Sequence, residues 1–571
     1  ERAVCAVFEE VLGLSGVGTG DDFFRLGGDS ISSIQVVNRL HRKGHLLKVA
    51  DVFNARTPAG LARLSTLADP EDTPAFAADT AAEGTLPLLP IAHWMLDRGE
   101  GTDSVTQRQV VATPATLTAD VLTAAIGDLL DRHEALRMRL HRITDRTELE
   151  VPPTAEAKPQ DCLRRVPLPP GGGRLPRDLV AEAAETAAAE LDPAAGVLLR
   201  AVWFDRGDTE QGRLLLLIHH LAVDGVSWRV LLPDLEAAVE ARLTDTAPEL
   251  SAPGTPLRAW ARALAESSGA PRWAEQMPHW RDTLRAVGDT AHLPAPDPAR
   301  DVLDTARTET RMLEADTTEA LLTRLPEAFN AGPEDVLLTG LALAVAAWRG
   351  QDGADLLVDV EGHGREDLFP GADLSRTVGW FTSLYPVRLD LAGTGTDEAL
   401  RGGPAAGRAV KRVKEVLRTV PDGGAGFGVL RYLHPETARE LAALPRPGLL
   451  FNYLGRLPAA MGRDWELTEE TWDVPLEFDP RTPLTHGLAF NVVAETGPRG
   501  TVLRTRLTYA RGLWPQERAR ALLDQWSRAL HALADHADAG GSGGHTPSDF
   551  SMVSLEQGQV DQLEALLRRR R

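Results

Sequence analysis

The chain has 571 residues, 43% apolar and 25% charged, which at roughly 100–200 residues per domain gives about three to five globular units and excludes disorder as the main state. Acidic residues outnumber basic ones by 82 to 61, for a formal charge of −21, and so acidic a surface repels phosphate backbones and argues against a nucleic-acid partner. Two cysteines, Cys5 and Cys162, cannot make a disulfide framework, and no run approaches the ~20 apolar residues of a membrane helix; a cytoplasmic, reducing setting with no membrane partner is expected. With Glu1 in first place, no initiator Met and no signal-peptide pattern, the chain is expected to be a fragment of something longer.

Residues 1–67 read as a small helical unit. Val4, Val7, Phe8, Val11 and Leu12 recur at helical spacing, as do Ile31, Ile34, Val37 and Leu40, with a loop rich in Gly and Asp between. Residues 68–85, dominated by Ala, Asp, Thr, Glu and Pro, hold little to anchor a core and predict a flexible linker. From Leu86 helices and strands alternate. Helices are predicted over 119–140, 227–243, 317–329, 333–348 and 515–536, and strands over 213–218, 354–360 and 503–509. The pattern fits an α+β or α/β class in two halves, 86–290 and 291–555. A Gly-rich break then leads to a short polar tail, 556–571, ending in four arginines that are expected to be a solvated end rather than a dock for the acidic face of another subunit.

Gly27-Gly28-Asp29-Ser30 stands directly before the second apolar-periodic helix. One reading is an N-cap, in which Asp or Ser satisfies orphan backbone amides. The other is a serine presented for covalent modification. The run DDFFRLGGDSISSIQVVNRL resembles the modification site of peptidyl carrier proteins, the thiolation domains of nonribosomal peptide synthetases. The resemblance implies an α-helical bundle in which Ser30 receives 4'-phosphopantetheine from a separate phosphopantetheinyl transferase. Asp-Ser-Ile, where many carriers have His-Ser, resembles the form found ahead of an epimerization domain.

Leu214–Ile218 runs into His219-His220 and on through Asp224-Gly225 to Val226-Ser227-Trp228, the text of a strand, a tight turn at Gly225 and a helix. Such a turn sets a histidine at the end of a buried strand facing a cleft, where imidazole serves as general acid or base. The alternative is a satisfied core histidine. The string resembles HHxxxDG, the signature of the condensation-domain superfamily, which is built from two chloramphenicol-acetyltransferase-like lobes. Val-Ser-Trp after the Asp-Gly resembles its epimerization branch. Further blocks follow in that branch's order. Leu89 to Trp94 resembles the opening motif, with Ala92-His93 departing from it; Val360 to Glu366 matches EGHGRE, and Arg376 to Thr382 the next block. Pro421 to Gly428 resembles GxGYG with Phe427 in place of Tyr, and Phe451 to Gly455 matches FNYLG.

The resemblance implies inversion, L to D, of the α-carbon of a carrier-bound aminoacyl or peptidyl thioester. A thioester acidifies the α-proton because the carbanion spreads onto the carbonyl oxygen, so the site needs a base, an opposed proton donor and oxyanion donors. His220 and Glu361 are the residues implied for proton transfer, with the Glu361 carboxyl raised by burial. The other reading of Glu361 is a structural ion pair with Arg365 or His363. His219 is expected to support His220 by packing or hydrogen bonding, Asp224 to orient the loop through an ion pair, and Ser227 to line the channel for the arm. Asn452 and Tyr453 are candidates for the oxyanion, unless FNYLG is only a packing strand; Trp228 and Trp380 read as core aromatics. No metal site is visible. The implied partners are an upstream adenylation domain that loads the amino acid and a downstream condensation domain that selects the D form. Tethering makes capture of the substrate effectively intramolecular. Two rivals remain, a condensation domain joining two carrier-bound substrates through a peptide bond and a non-catalytic docking module.

Overall fold

The N-terminal helices form where apolar residues recur on one face. Helix α1 (Arg2–Leu12) buries Val4, Val7 and Phe8, and α2 (Ser30–Arg42) buries Val36, Val37 and Leu40 against them. Helix α3 (Pro58–Leu64) starts with Pro58 in its first turn and Thr57 as N-cap, its hydroxyl accepting from the Gly60 amide, and adds Leu61 to the same core. The computed structural model describes every residue except 13, 29, 48–50, 53–54, 68–80, 100, 144–145, 172, 249, 251–253, 286–292, 354, 458–461, 477, 498, 540–542, 551–554 and 569–571, with backbone alone at 30, 31, 34, 38, 41, 42, 565, 567 and 568. Most of the predicted linker, Asp29, and the side chains of Ser30, Ile31 and Ile34 therefore lie outside the described residues.

Two sheets with helices packed on them make up the rest. Strands β1 (Thr106–Thr113), β2 (Leu163–Pro167), β3 (Leu199–Asp205) and β4 (Gly212–His219) run in the order β1-β4-β3-β2, antiparallel except for β2 against β3. Helices α4 (Pro90–Leu96), α5 (Ala119–Arg132), α6 (Trp228–Leu243) and α7 (Leu257–Glu266) belong to this half. The second sheet takes β5 (Ala306–Leu313), β6 (Leu356–Gly362), β7 (Ser383–Leu389), β8 (Leu449–Leu457), β9 (Leu488–Gly497) and β10 (Gly500–Ala510) in the order β5-β10-β9-β8-β6-β7. Its central pairs β9–β8 and β8–β6 are parallel. Helix α8 (Pro333–Arg349) buries 13 of its 17 residues, so it is apolar all round and sits inside, between α9 (Pro404–Arg418) and α10 (Gln516–Asp538). Gly340 permits that approach, since a Cβ there would stand 2.6 Å from Leu530 Cδ2.

The chain of the second half returns to the first. After β8, the Trp465 amide donates to Ala112 O at 2.8 Å and the Thr468 amide to Val110 O at 2.8 Å, which extends the β1 edge. Two expectations are corrected. The helix predicted over 119–140 stops at Arg132: His133 leaves helical geometry at φ −111, ψ 96, Glu134–Arg137 is a single tight turn, and Arg139–Ile143 is a strand paired with Arg146–Val151. Leu136 and Met138 continue an apolar spacing that the backbone does not follow. Gly84–Leu86 joins the same small sheet, so the end of the predicted linker is a strand. The segment before the polar tail and the tail's helix are tied to the second half. Buried Lys414 holds Asp549 at 2.6 Å, and helix α11 (Gln557–Arg568) buries Val560 and ties Asp561 to Lys411 at 3.0 Å. The last three arginines lie outside the described residues. Among the described residues no single helix is long and apolar enough to cross a membrane, although the bent pair Ala315–Phe329 and Pro333–Arg349 passes that length and composition test jointly.

Candidate active site

Strand β4 is a continuous apolar run because both its faces are covered, and it delivers two histidines to a turn at its end. His219 is fully buried. Its Nε2–H donates to Thr102 O at 3.3 Å and its Nδ1 accepts from the Leu221 amide at 3.2 Å. Burial drives its pKa down to about 4, so the ring is neutral near pH 7 and fastens the turn without bonding to His220. His220 is half-buried at the cavity wall. Its Nδ1–H donates to Val223 O at 2.9 Å, and its Nε2 stands 3.1 Å from the Gln107 side-chain nitrogen. Trp228 Nε1–H donates to Gln107 Oε1 at 3.2 Å, which turns the amide NH2 toward His220. This chain of donors fixes the tautomer with Nε2 unprotonated. Trp380 stacks on the His220 ring at 4.0 Å between centroids; Trp228 and Trp380 are both buried in the core, as expected of core aromatics, and Trp228 also reaches the imidazole through Gln107.

The loop that follows is locked across the two halves. Asp224 accepts from Arg365 at 2.5 Å and 3.1 Å, from the Ser227 amide and hydroxyl at 2.8 Å each, and from the Phe381 amide at 3.1 Å. The ion pair is therefore made with Arg365, the group offered to Glu361 as one alternative. Ser227 is fully buried and gives its hydroxyl to Asp224 and Gly379 O, so it does not line the cavity as expected. Gly225 lines it, yet it has no positive φ, and a Cβ there would meet nothing within 4 Å; the turn itself does not demand glycine.

Glu361 lies on β6, aimed at the same cavity, and Asn452 on neighbouring β8 donates to its Oε2 at 2.8 Å. Burial pushes the Glu361 carboxyl up to about 7, and the Asp359 carboxylate two residues back pushes the same way. His363 instead faces Glu366, at 3.6 Å. His220, Glu361, Asn452 and Tyr453 all line one cavity of about 1240 Å³. Its wall also includes Phe24, Gly28 and Arg56 of the N-terminal unit, while Arg25 reaches Glu327 at 3.3 Å. Gly27 at φ +101 and Gly28, whose Cβ would stand 2.3 Å from the Phe23 ring, explain the paired glycines before α2. A covalent arm at the start of α2 thus fits, because the chain two residues earlier already borders the cavity. Sequence reasoning missed Gln107, 113 residues from His220, and the buried group in which Asp234 holds His133 at 3.0 Å and Arg376 at 2.6 Å. Neither carries a sequence signal; both arise from pairing in the fold. Among the described residues no cluster of three His, Cys, Asp or Glu is placed to hold a metal ion.

Known proteins share this architecture. A family model described as the condensation domain matches residues 82–556, and one described as the phosphopantetheine attachment site matches residues 2–65. A linear gramicidin synthase of Brevibacillus parabrevis is 33% identical over 98% of the chain, and chondramide synthase cmdD of Chondromyces crocatus 34% over 98%. The chain spans only 11% and 14% of these relatives. Among solved structures, the epimerization domain from the third module of tyrocidine synthetase B superposes with a TM-score of 0.69 at 25% identity, covering 81% of this chain and 98% of that one. The first condensation domain of the calcium-dependent antibiotic synthetase gives 0.58 at 18% identity, covering 81% and 98%, a likeness of fold.

Proposed function

The chain belongs to the condensation-domain family, behind a phosphopantetheine attachment domain, and from that premise we propose that it is part of a nonribosomal peptide synthetase and inverts the α-carbon of the aminoacyl or peptidyl group on its own carrier. The observation that carries the reading is the pairing of an imidazole with Nε2 unprotonated and a carboxyl raised to about 7, contributed by different halves to one cavity. Near neutral pH such a carboxyl is present in both forms, as a group that must give and take protons requires. His220 Nε2 removes the α-proton on one face and Glu361 returns one on the other, with the roles exchanged for the opposite hand. Asn452 orients Glu361. Asp224 with Arg365 and Ser227 holds the histidine turn, and the Gln107–Trp228 chain holds the tautomer. Ser30 is the attachment point, and the bound arm supplies a thioester carbonyl that acidifies the α-proton. In this reading residues 1–67 are the carrier and 86–290 and 291–555 the two lobes; a phosphopantetheinyl transferase, an upstream adenylation domain and a downstream condensation domain are the partners.

The test is to load Ser30 with an L-aminoacyl phosphopantetheine in heavy water, hydrolyse and separate the hands by chiral mass spectrometry. D-product with α-deuterium is expected, falling about 10²–10⁴-fold in His220→Ala and in Glu361→Gln. Amide formation with a second loaded carrier, and no change of hand, would contradict the reading and favour condensation.

A further inference from the structure

A second, smaller cavity adjoins the first, and the acid–base chemistry leaves it without a role. We propose that it receives the side chain of the residue being inverted and selects aliphatic chains of valine to leucine size; this rests on the reading above.

The cavity lies on the sheet face that carries Glu361. Asp359 and Glu361 alternate along β6 and so point the same way, and Leu384 is the cross-strand partner of Glu361. Asp359 and Leu384 line the small cavity, Glu361 lines the large one, and Thr382 lines both. A substrate with its α-carbon at Glu361 therefore has this hollow beside it. Its wall also takes Pro90 and Trp94 of the opening block, Phe381 of the block after EGHGRE, Ala425 and Phe427, the latter a ring without a hydroxyl, and Leu284 from outside these blocks.

Its lining is mainly apolar, with Asp359, Thr382, Ser383, Arg431, Tyr432 and Arg446 as the polar members. Asp359 is its one acid and is held by His486 Nε2 at 2.9 Å, while the Arg431 guanidinium lies over the Tyr432 ring at 4.7 Å. Burial pushes the Tyr432 hydroxyl up to about 12, so it stays neutral. The volume is about 100 Å³. An engineered apolar cavity of about 150 Å³ takes benzene, so this one takes an isopropyl or isobutyl group and is small for a phenyl ring.

The test loads the whole chain in turn with L-Ala, L-Val, L-Leu and L-Phe and reads α-proton exchange in heavy water. Val and Leu are expected to exchange about tenfold faster than Phe. Ala425→Leu, at a lining residue, fills the hollow and should lower Val and Leu exchange toward the Ala rate, with an unchanged thermal melt reporting that the variant is folded. Leu284→Ala, at another lining residue, enlarges it and should raise Phe. Equal rates for all four in the parent, or selectivity unmoved in both variants, would overturn the pocket and leave the epimerase reading standing. Exchange of no residue at all would overturn both.

Discussion

Asp224 and Glu361 line one cavity from opposite halves, Asp224 buried and Glu361 half-buried. Asp224 accepts five hydrogen bonds, two of them from a guanidinium. Glu361 accepts one from Asn452 and has a second carboxylate two residues behind it. Burial with full compensation makes a carboxylate a fastener; burial with little compensation raises its pKa and makes it a proton carrier. The two histidines differ in exposure: both nitrogens of each have partners, but His219 is fully buried while the His220 ring meets the cavity.

The largest effect should come from the fastener. Asp224→Asn leaves Arg365 buried without its counter-charge, a loss of about 3–5 kcal/mol in unfolding free energy by denaturant titration; an unchanged midpoint would erase the contrast. A smaller effect is expected at the tautomer chain. Gln107→Leu should slow inversion about tenfold, near 1.4 kcal/mol, and shift the pH–rate profile, whereas a purely structural role would move stability and leave that profile alone. A third effect concerns pH. A carboxyl at about 7 in the fold, against an ordinary 4.5, holds its proton longer when folded, so it costs stability as pH rises from about 4.5 to 7. Glu361→Gln removes that cost and should gain stability over the parent at pH 8 but not at pH 4; thermal melts at the two values check this.

The blocks that carried the family resemblance were legible as text, and with them His220 and Glu361 as candidates. Gln107 was not, because its place beside His220 comes from β1 pairing with β4, with Gln107 opposite Ile218. Asn452 was legible as part of FNYLG, but its bond to Glu361 comes from β6 lying parallel to β8. Arg365 was, with His363, one of two partners in the alternative reading of Glu361; in the fold its side chain crosses to the other half and takes Asp224. The overrun helix at 119–140 failed for a related reason, since apolar spacing reports burial and not backbone path: Leu136, Met138 and Leu140 are buried, in a turn and a strand.

The central claim is that two groups work from opposite faces, and the most direct measurement is where solvent deuterium first enters. The carrier is loaded with the L residue, and separately with the D residue, in heavy water, and both hands are recovered at early times. Two opposed groups predict deuterium in the newly formed hand and none in the starting hand, from either direction. Deuterium entering the starting hand as fast as the product would show one base serving both faces and would contradict the assignment of His220 and Glu361 as a pair.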